Sequence, residues 1–132
     1  MNQRIKRAWI WMLRSGEYEQ HRGELYAPPS SYDPLGLLCL LYNLMTKNGH
    51  FDKFIIHGKD VYGFEVQGYV GVNLPPEPVM YWAGLMDIRG HWLSEIQEDI
   101  INTVILLNDR GRNNEKWSFN QIADLLEREV EL

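Results

Sequence analysis

The side chains that most often perform catalysis or bind metals are few in this chain of 132 residues, and they are not grouped. The four histidines are His21, His50, His57 and His91, and none belongs to an i, i+4 pair or to an His-Glu-x-x-His motif. Cys39 is the only cysteine and lies in a leucine-rich run, where a thiol usually packs without reacting. The residues therefore predict no catalytic motif, no metal site, no cofactor and no intrachain disulfide.

A group of cations near the start of the chain could contact phosphate. It consists of Arg4, Lys6, Arg7 and Arg14, spaced along a predicted helix. We favour a solvated helix face over a phosphate-binding patch. With 18 acidic and 13 basic residues and a net charge of −5, the chain lacks the excess of cations from which nucleic-acid binding draws its affinity. We therefore do not expect nucleic acid as a partner.

The segment from Ser118 to Leu126 is similar to the first helix of a DNA-binding helix-turn-helix. Such a unit needs a recognition helix after it. Here the residues that follow are rich in glutamate, namely Glu127, Glu129 and Glu131. We therefore expect a helix that docks on the core rather than one that reads DNA.

The elements that must position these residues follow from apolar spacing, caps and turn residues. Helices are predicted from about Gln3 to Ser15 and from Pro34 to a cap at Lys47-Asn48-Gly49. A short third helix is predicted to end at Trp82, and two more are predicted from Ser94 to Asp109 and from Phe119 onward. The stretch 51–72 predicts two or three short antiparallel strands. Residues 17–26 are expected to form an extended segment or weak hairpin, followed by a connector over 27–31. Ile96 is expected to face inward from the fourth helix.

The helix that starts at Pro34 is the clearest local feature. Asp33 is placed as its N-cap and Pro34 at its first position, where a missing N–H costs nothing. Leucines then occur nearly all round the helix, which predicts that it is buried. We expect a single α+β domain over residues 1–132, with four to five helices around this central helix and a small antiparallel sheet. The apolar run Leu35 to Leu41 is too short to cross a bilayer, and no signal-type segment is seen, so a cytoplasmic location without membrane contact is expected.

Taken together, several stretches resemble a family of small uncharacterised proteins of tailed bacteriophages and prophages. The matching stretches are Trp9-x-x-x-Leu13-Arg14-Ser15-Gly16-x-Tyr18-x-Gln20, Leu35-Gly36-Leu37-Leu38-Cys39, Leu107-Asn108-Asp109-x-Gly111 and Phe119-x-x-Ile122-Ala123-Asp124. Family members often carry a cysteine pair where this chain has Asp33-Pro34. The resemblance implies a phage origin and an accessory protein, acting in the host cytoplasm, and it brings no established activity.

The resemblance includes polar residues in predicted loops, where packing alone would not determine the residue type. With Trp11 they form our candidate set for ligand or partner binding, which is Trp11, Arg14, Tyr18, Gln20, Asn108 and Asp109. The alternative is local, because Arg14 can cap its helix and the Asn108-Asp109-x-Gly111 stretch can form a turn that bonds its own backbone.

Three functions remain open from the sequence. The favoured one is a non-enzymatic accessory protein that binds and modulates a host protein, since aromatic residues and an acidic surface suit such contacts. The second is a nucleotide-type binder, in which Arg14 contacts phosphate, Gln20 bonds the base and Trp11 stacks on it. The third is an enzyme in which His57 or His91 meets a distant carboxylate in a cleft. The oligomeric state is left open.

Overall fold

A computed structural model describes residues 1–132 as five helices and two three-stranded sheets. The helices are α1 (Gln3–Arg14), α2 (Pro34–Thr46), α3 (Glu77–Trp82), α4 (Glu95–Asp109) and α5 (Phe119–Arg128). The strands are β1 (Glu19–Gln20), β2 (Tyr26–Ala27), β3 (Ser31–Tyr32), β4 (Gly49–Ile56), β5 (Lys59–Val66) and β6 (Tyr69–Gly71). The α+β class is confirmed. No helix is long and apolar enough to cross a membrane.

The helix α2 is the interior helix that its leucines predict. Asp33 caps it, with Oδ1 accepting a hydrogen bond from the Gly36 N–H at 2.6 Å, and Pro34 takes the first turn. Every residue from Pro34 to Cys39 is buried, and the helix packs against α1, α3, α4 and β4. The arrangement of the other helices around a central apolar helix is therefore confirmed.

The end of α2 differs from the prediction. Leu44 and Met45 are 60% and 62% exposed, because the last turn extends past the elements that cover the first two. The left-handed cap is Lys47, with φ 58°, and not Gly49, which already belongs to β4. Apolar composition alone therefore overestimated how much of this helix is covered.

The helices α1 and α5 each bury the stripe predicted for them. The buried side chains on α1 include Ile5, Trp9, Met12 and Leu13, and those on α5 are Phe119, Ile122, Ala123 and Leu126. The predicted capping box at Ser118 is formed in both directions. On α4 the prediction for Ile96 was wrong, since this residue is 51% exposed and lies beside the chain's last residues rather than in the core.

The larger sheet contains β4, β5 and β6 in sequence order, all antiparallel, as predicted for the stretch 51–72. The smaller sheet was predicted only in part, because residues 17–26 were expected to be extended or to form a weak hairpin, whereas β1 and β2 pair with β3 and not with each other. Its central strand is β3, which pairs in parallel with β1 and antiparallel with β2. Each of these strands is only two residues long, so neither alternation nor composition could identify them. The supposed connector over 27–31 thus supplies part of a sheet.

The segment between β1 and β2 crosses directly over the first turn of α2. A Cβ at Gly36 would lie 1.8 Å from the Leu25 carbonyl oxygen, so only glycine allows this approach. The Leu25 carbonyl also accepts a hydrogen bond from the Asp33 N–H at 3.1 Å. The start of α2 is therefore held by the segment that leads from α1.

The interior position of α2 predicts unequal effects for two leucines of the same helix. Leu38 is fully buried, so Leu38→Ala should lower the free energy of unfolding by about 2–5 kcal/mol through lost burial and a cavity. Leu44→Ala is the matched control and should change it by about 0.5 kcal/mol or less. Urea denaturation measures both values. Equal effects at the two positions would contradict the arrangement.

The carboxyl of Asp33 predicts a pH dependence of stability. Burial raises the pKa of Asp33 well above its ordinary value, and the hydrogen bond from Gly36 only partly opposes this. Because the folded-state pKa is raised, the stabilisation that this residue contributes is complete below the unfolded-state pKa of about 3.9 and is lost as pH rises through the folded-state value.

The variant Asp33→Asn keeps an N-cap acceptor and cannot ionise. The free energy of unfolding of the variant, relative to that of the wild type, should therefore increase as pH rises from acid to neutral. Denaturation of both proteins across this range measures the difference. A difference that does not change with pH would show that Asp33 is not buried as described.

Candidate functional site

The largest cavity of the structure is a groove along the exposed side of α1, next to α5. Its volume is about 430 Å³ and falls within the range of about 300–1,000 Å³ usual for ligand sites. We call it the basic groove, and it is lined by Gln3, Lys6, Arg7, Ile10, Trp11, Arg14 and Glu127. The lining residues of α1 run from Gln3 to Arg14, which corresponds to a rise of about 16 Å along the helix. The groove therefore brings three cations and an indole together against one carboxylate.

Trp11 is the aromatic residue that lines the groove. It lies off the buried stripe of α1 and is 63% exposed, whereas Trp9 on the stripe is fully buried and donates from Nε1 to the Pro34 carbonyl at 2.6 Å. An indole that exposes its face beside cations can stack on a planar ligand. Since its ring is not needed for the core, Trp11 is available for such a contact.

Arg14 is held at one end of the groove by two carboxylates of α5. Its Nη2 atom lies 2.7 Å from Asp124 Oδ1 and 2.7 Å from Glu127 Oε2. The hydrogen bonds that Arg14 donates to Glu127, and then to Asp124, raise the pKa of Arg14, and the bond to Glu127 lowers the pKa of that carboxyl. These pairs fix the guanidinium in place, and they also reduce its capacity to attract an anion.

Lys6 was expected on a solvated face, and that prediction was wrong for this residue. Its side chain is buried, and Nζ donates to the Glu129 backbone carbonyl at 2.8 Å. Burial lowers the pKa of Lys6, an effect that the Glu129 carboxylate partly opposes. Arg7 remains exposed and takes part in no ion pair. The cation with the greatest freedom to meet a ligand is therefore Arg7.

The two predicted loops do converge, at Gln20 and Asn108. Gln20 Nε2 donates to Asn108 Oδ1 at 2.7 Å and to the Trp117 carbonyl at 2.8 Å. Asn108 Nδ2 in turn donates to the His21 carbonyl at 3.0 Å. Asp109 Oδ1 accepts from the Gly23 N–H at 2.9 Å. The contacts join the segment after α1 to the last turn of α4.

Arg22, which the sequence did not single out, completes this group. Its Nη1 atom donates to the Asn108 carbonyl and to the Trp117 carbonyl. A cation at this position satisfies carbonyls that a helix C-terminus leaves free. We call Gln20, Arg22, Asn108 and Asp109 the loop–helix cluster. Its members bond to one another and to the backbone, and none lines a cavity, so the cluster is a tertiary connection.

The six candidate residues thus separate into three places. Trp11 and Arg14 line the basic groove, and Gln20, Asn108 and Asp109 belong to the loop–helix cluster. Tyr18 packs edge-on against Tyr32, with 6.1 Å between ring centroids. The groove residues that the candidate set lacked are Gln3, Lys6, Arg7, Ile10 and Glu127. Of these, Lys6 and Arg7 belong to the basic cluster that the sequence shows near the start of the chain.

The histidines considered for catalysis lie outside the cavities. His91 Nδ1 is 3.6 Å from Asp87 Oδ2 in an exposed loop. His57 occupies the turn between β4 and β5, with φ 51°. The other two cavities have volumes of about 250 Å³ and 170 Å³, and no histidine lines either of them. The structure therefore does not bring His57 or His91 together with a carboxylate in a cleft.

Comparison with known protein families identifies the family of this chain. The chain matches the family described as a domain of unknown function (DUF8296) over residues 1–130, and it belongs to that family. No curated protein and no solved structure matches the chain.

The loop–helix cluster predicts that Gln20 and Asn108 are energetically coupled. Asn108→Ala leaves buried polar groups without partners and should lower the free energy of unfolding by about 1–3 kcal/mol. Combining it with Gln20→Ala should cost less than the sum of the two single changes, with a coupling of about 0.5–3 kcal/mol. Urea denaturation of the four proteins measures this cycle.

The control for this cycle is Asn120→Ala, at an exposed position on α5 whose side chain makes no hydrogen bond. Its effect on stability should be small and additive with Gln20→Ala. Strictly additive effects of Gln20→Ala and Asn108→Ala would contradict the cluster as a connection between the two loops.

Proposed function

We propose that this protein is a non-enzymatic binding protein whose basic groove takes a small ligand with an anionic group and a planar ring, as a nucleotide has. The observation that carries the proposal is the position of Trp11 between Arg7 and Arg14 along one exposed side of α1. Cations supply charge-assisted hydrogen bonds to phosphate, and an exposed indole supplies a stacking surface.

The charge of the groove supports an anion over a neutral ligand. Lys6, Arg7 and Arg14 contribute three positive charges, and Glu127 in the lining and Asp124 at Arg14 contribute two negative charges, which leaves a local charge of +1. The whole chain carries −5, so the groove is a positive site in an acidic protein. Such local fields raise the concentration of oppositely charged ligands at the site. The volume of about 430 Å³ suits a small molecule better than a large interface.

The origin and location of the protein are part of the proposal. The ordered motifs that resemble phage and prophage proteins support an accessory protein made during infection and active in the host cytoplasm. Sequestering a small anionic signal and binding a host protein are both roles that need no catalytic group. The groove supports the first of these more directly, because its shape is concave.

A second candidate function is the binding of a host protein, in which an acidic segment of that host protein contacts the basic groove. It is favoured by one observation, the exposure of Trp11 next to Arg7. Tryptophan and arginine are the residue types that most often dominate the affinity of protein interfaces. In this case the acidic segment of the partner would lie along the groove, and small nucleotides would bind weakly or not at all.

The experiment compares ligands that carry both an anionic group and a planar ring with ligands that carry only one of these two features. Thermal unfolding is measured with nucleotides, including cyclic dinucleotides, with the matching nucleosides and with inorganic pyrophosphate. A nucleotide at a hundred times its Kd should stabilise the fold by about 2.7 kcal/mol, and both partial ligands should do much less. Absence of any effect from nucleotides at millimolar concentration would refute the small-ligand proposal and leave the host-protein candidate.

Variants on α1 locate the site. Arg7→Ala and Trp11→Ala should each weaken nucleotide binding by roughly 10-fold or more, through loss of a charged contact and of stacking respectively. Arg4→Ala is the matched control, because Arg4 is exposed on the same helix and does not line the groove. Calorimetric titration gives the affinities. Equal weakening by Arg4→Ala and Arg7→Ala would indicate unspecific attraction to the helix.

A further inference from the structure

A second groove lies between α3, the β5–β6 turn and the loop after α3. Its volume is about 250 Å³, and its lining consists of Gln67, Tyr69, Glu77, Pro78, Tyr81 and Ile88. We call it the tyrosine groove. It shares no residue with the basic groove, and its chemistry is the reverse, because its only charged lining group is a carboxylate.

The two tyrosines that line this groove do not belong to the hydrophobic core. Tyr69 and Tyr81 are 53% and 54% exposed, and neither takes part in the aromatic pairs that join the other tyrosines to the core. Ile88 is 80% exposed beside them. Two tyrosine rings that remain open to solvent present negative π faces to whatever enters the groove.

The carboxylate of Glu77 lines the groove without a cation partner. Glu77 is the first residue of α3 and lies four positions before Tyr81, so both side chains lie on the same side of the helix. It takes part in no ion pair, although Arg89 is close along the chain, because Arg89 pairs with Asp87 instead. Asp87 also accepts hydrogen bonds from the N–H groups of Arg89 and His91.

The loop after α3 leaves room for that carboxylate. A Cβ at Gly90 would lie 2.5 Å from Glu77 Oε1, and Gly90 adopts a φ of +82° that favours glycine. The hydrogen bonds of Asp87 define the turn that brings Gly90 to this position. Glycine at position 90 therefore leaves space for the carboxylate, and no ion pair within the chain neutralises it.

We propose that the tyrosine groove binds a single basic side chain, arginine or lysine, presented by a partner protein. A carboxylate with exposed tyrosine faces attracts a cation, and the apolar Ile88 and Pro78 suit the aliphatic stem of such a side chain. The volume of about 250 Å³ is below the usual range of about 300–1,000 Å³ for whole small-molecule ligands and suits one side chain. The chain's net charge of −5 favours approach of a basic segment.

The test uses the full chain and two peptides of the same shape. One is a short Arg-Gly-Gly repeat, and the other carries citrulline, which is neutral, in place of each arginine. Aromatic NMR spectra report the ring signals of Tyr69 and Tyr81 during titration. The arginine peptide should shift both rings and saturate, and the citrulline peptide should cause little shift. Equal shifts from both peptides would overturn the proposal, because charge would not be recognised.

Variants separate this groove from general attraction to an acidic protein. Glu77→Gln and Tyr81→Ala should each weaken binding of the arginine peptide by roughly fivefold, and both positions are exposed, so the fold should persist. Glu95→Gln is the matched control, because Glu95 is the exposed first residue of α4 and lines no cavity. Equal weakening by Glu95→Gln and Glu77→Gln would overturn the proposal.

The same titration distinguishes another occupant. If the ring signals of Tyr69 and Tyr81 shift with protein concentration alone, the groove is a contact between two copies of this chain and the proposed partner is wrong. If they are independent of protein concentration and respond to the arginine peptide, the proposal is supported. The basic groove can be tested separately with nucleotides, so failure of one proposal leaves the other unaffected.

Discussion

The burial of the first two turns of α2 is the constraint on which the rest of the structure depends. Those turns contain no charged side chain, and Asp33, which caps them, is itself enclosed. Because an apolar helix gains stability only when neighbours cover it, the other elements have to pack against all its sides. The Trp9 indole reaches the Pro34 carbonyl, and the Leu25 segment crosses at Gly36. These contacts fix the start of α2 against the middle of α1 and against the segment around Leu25.

Polar side chains in this protein serve two distinct purposes, which their partners reveal. In the loop–helix cluster, Asn108 is fully buried and its amide bonds to Gln20 and to backbone, so its capacity is used within the fold. Arg7 and Glu77 are charged, exposed and without an ion-pair partner. A residue of the first kind holds elements together, whereas a residue of the second kind is able to meet a ligand.

The two grooves differ in local charge from each other, and neither charge follows from the net charge of the chain. The chain is acidic overall, yet α1 collects enough cations to make its exposed side positive. Carboxylates partly offset this charge, namely Asp124 and Glu127 at Arg14 and Glu129 near Lys6, whereas Arg7 has no such partner. Glu77 instead faces two tyrosines in a separate groove. The two proposed sites would therefore attract ligands of opposite charge, because each field is determined by the nearest residues.

Local sequence determined most of the helical structure and little of the candidate site. The caps at Asp33 and Ser118 and the apolar stripes of α1 and α5 were predictable, since each depends on residues within a few positions of one another. The basic character of α1 was also visible, as were Trp11 and Arg14 as candidates for binding. The convergence of the Gln20 and Asn108 segments was a hypothesis that only a fold could decide.

Tertiary structure decided the features that depend on distant residues. The two-residue strands of the smaller sheet exist because β3 finds partners on both sides, and no local pattern marks them. The burial of Lys6 requires the carbonyl of Glu129, and the basic groove requires Glu127 of α5 as its far wall. The exposure of Leu44 and Ile96 likewise depends on where neighbouring elements end. Sequence thus determined which segments could form helices, while packing determined which of their side chains remained free, because burial depends on what the rest of the chain brings alongside.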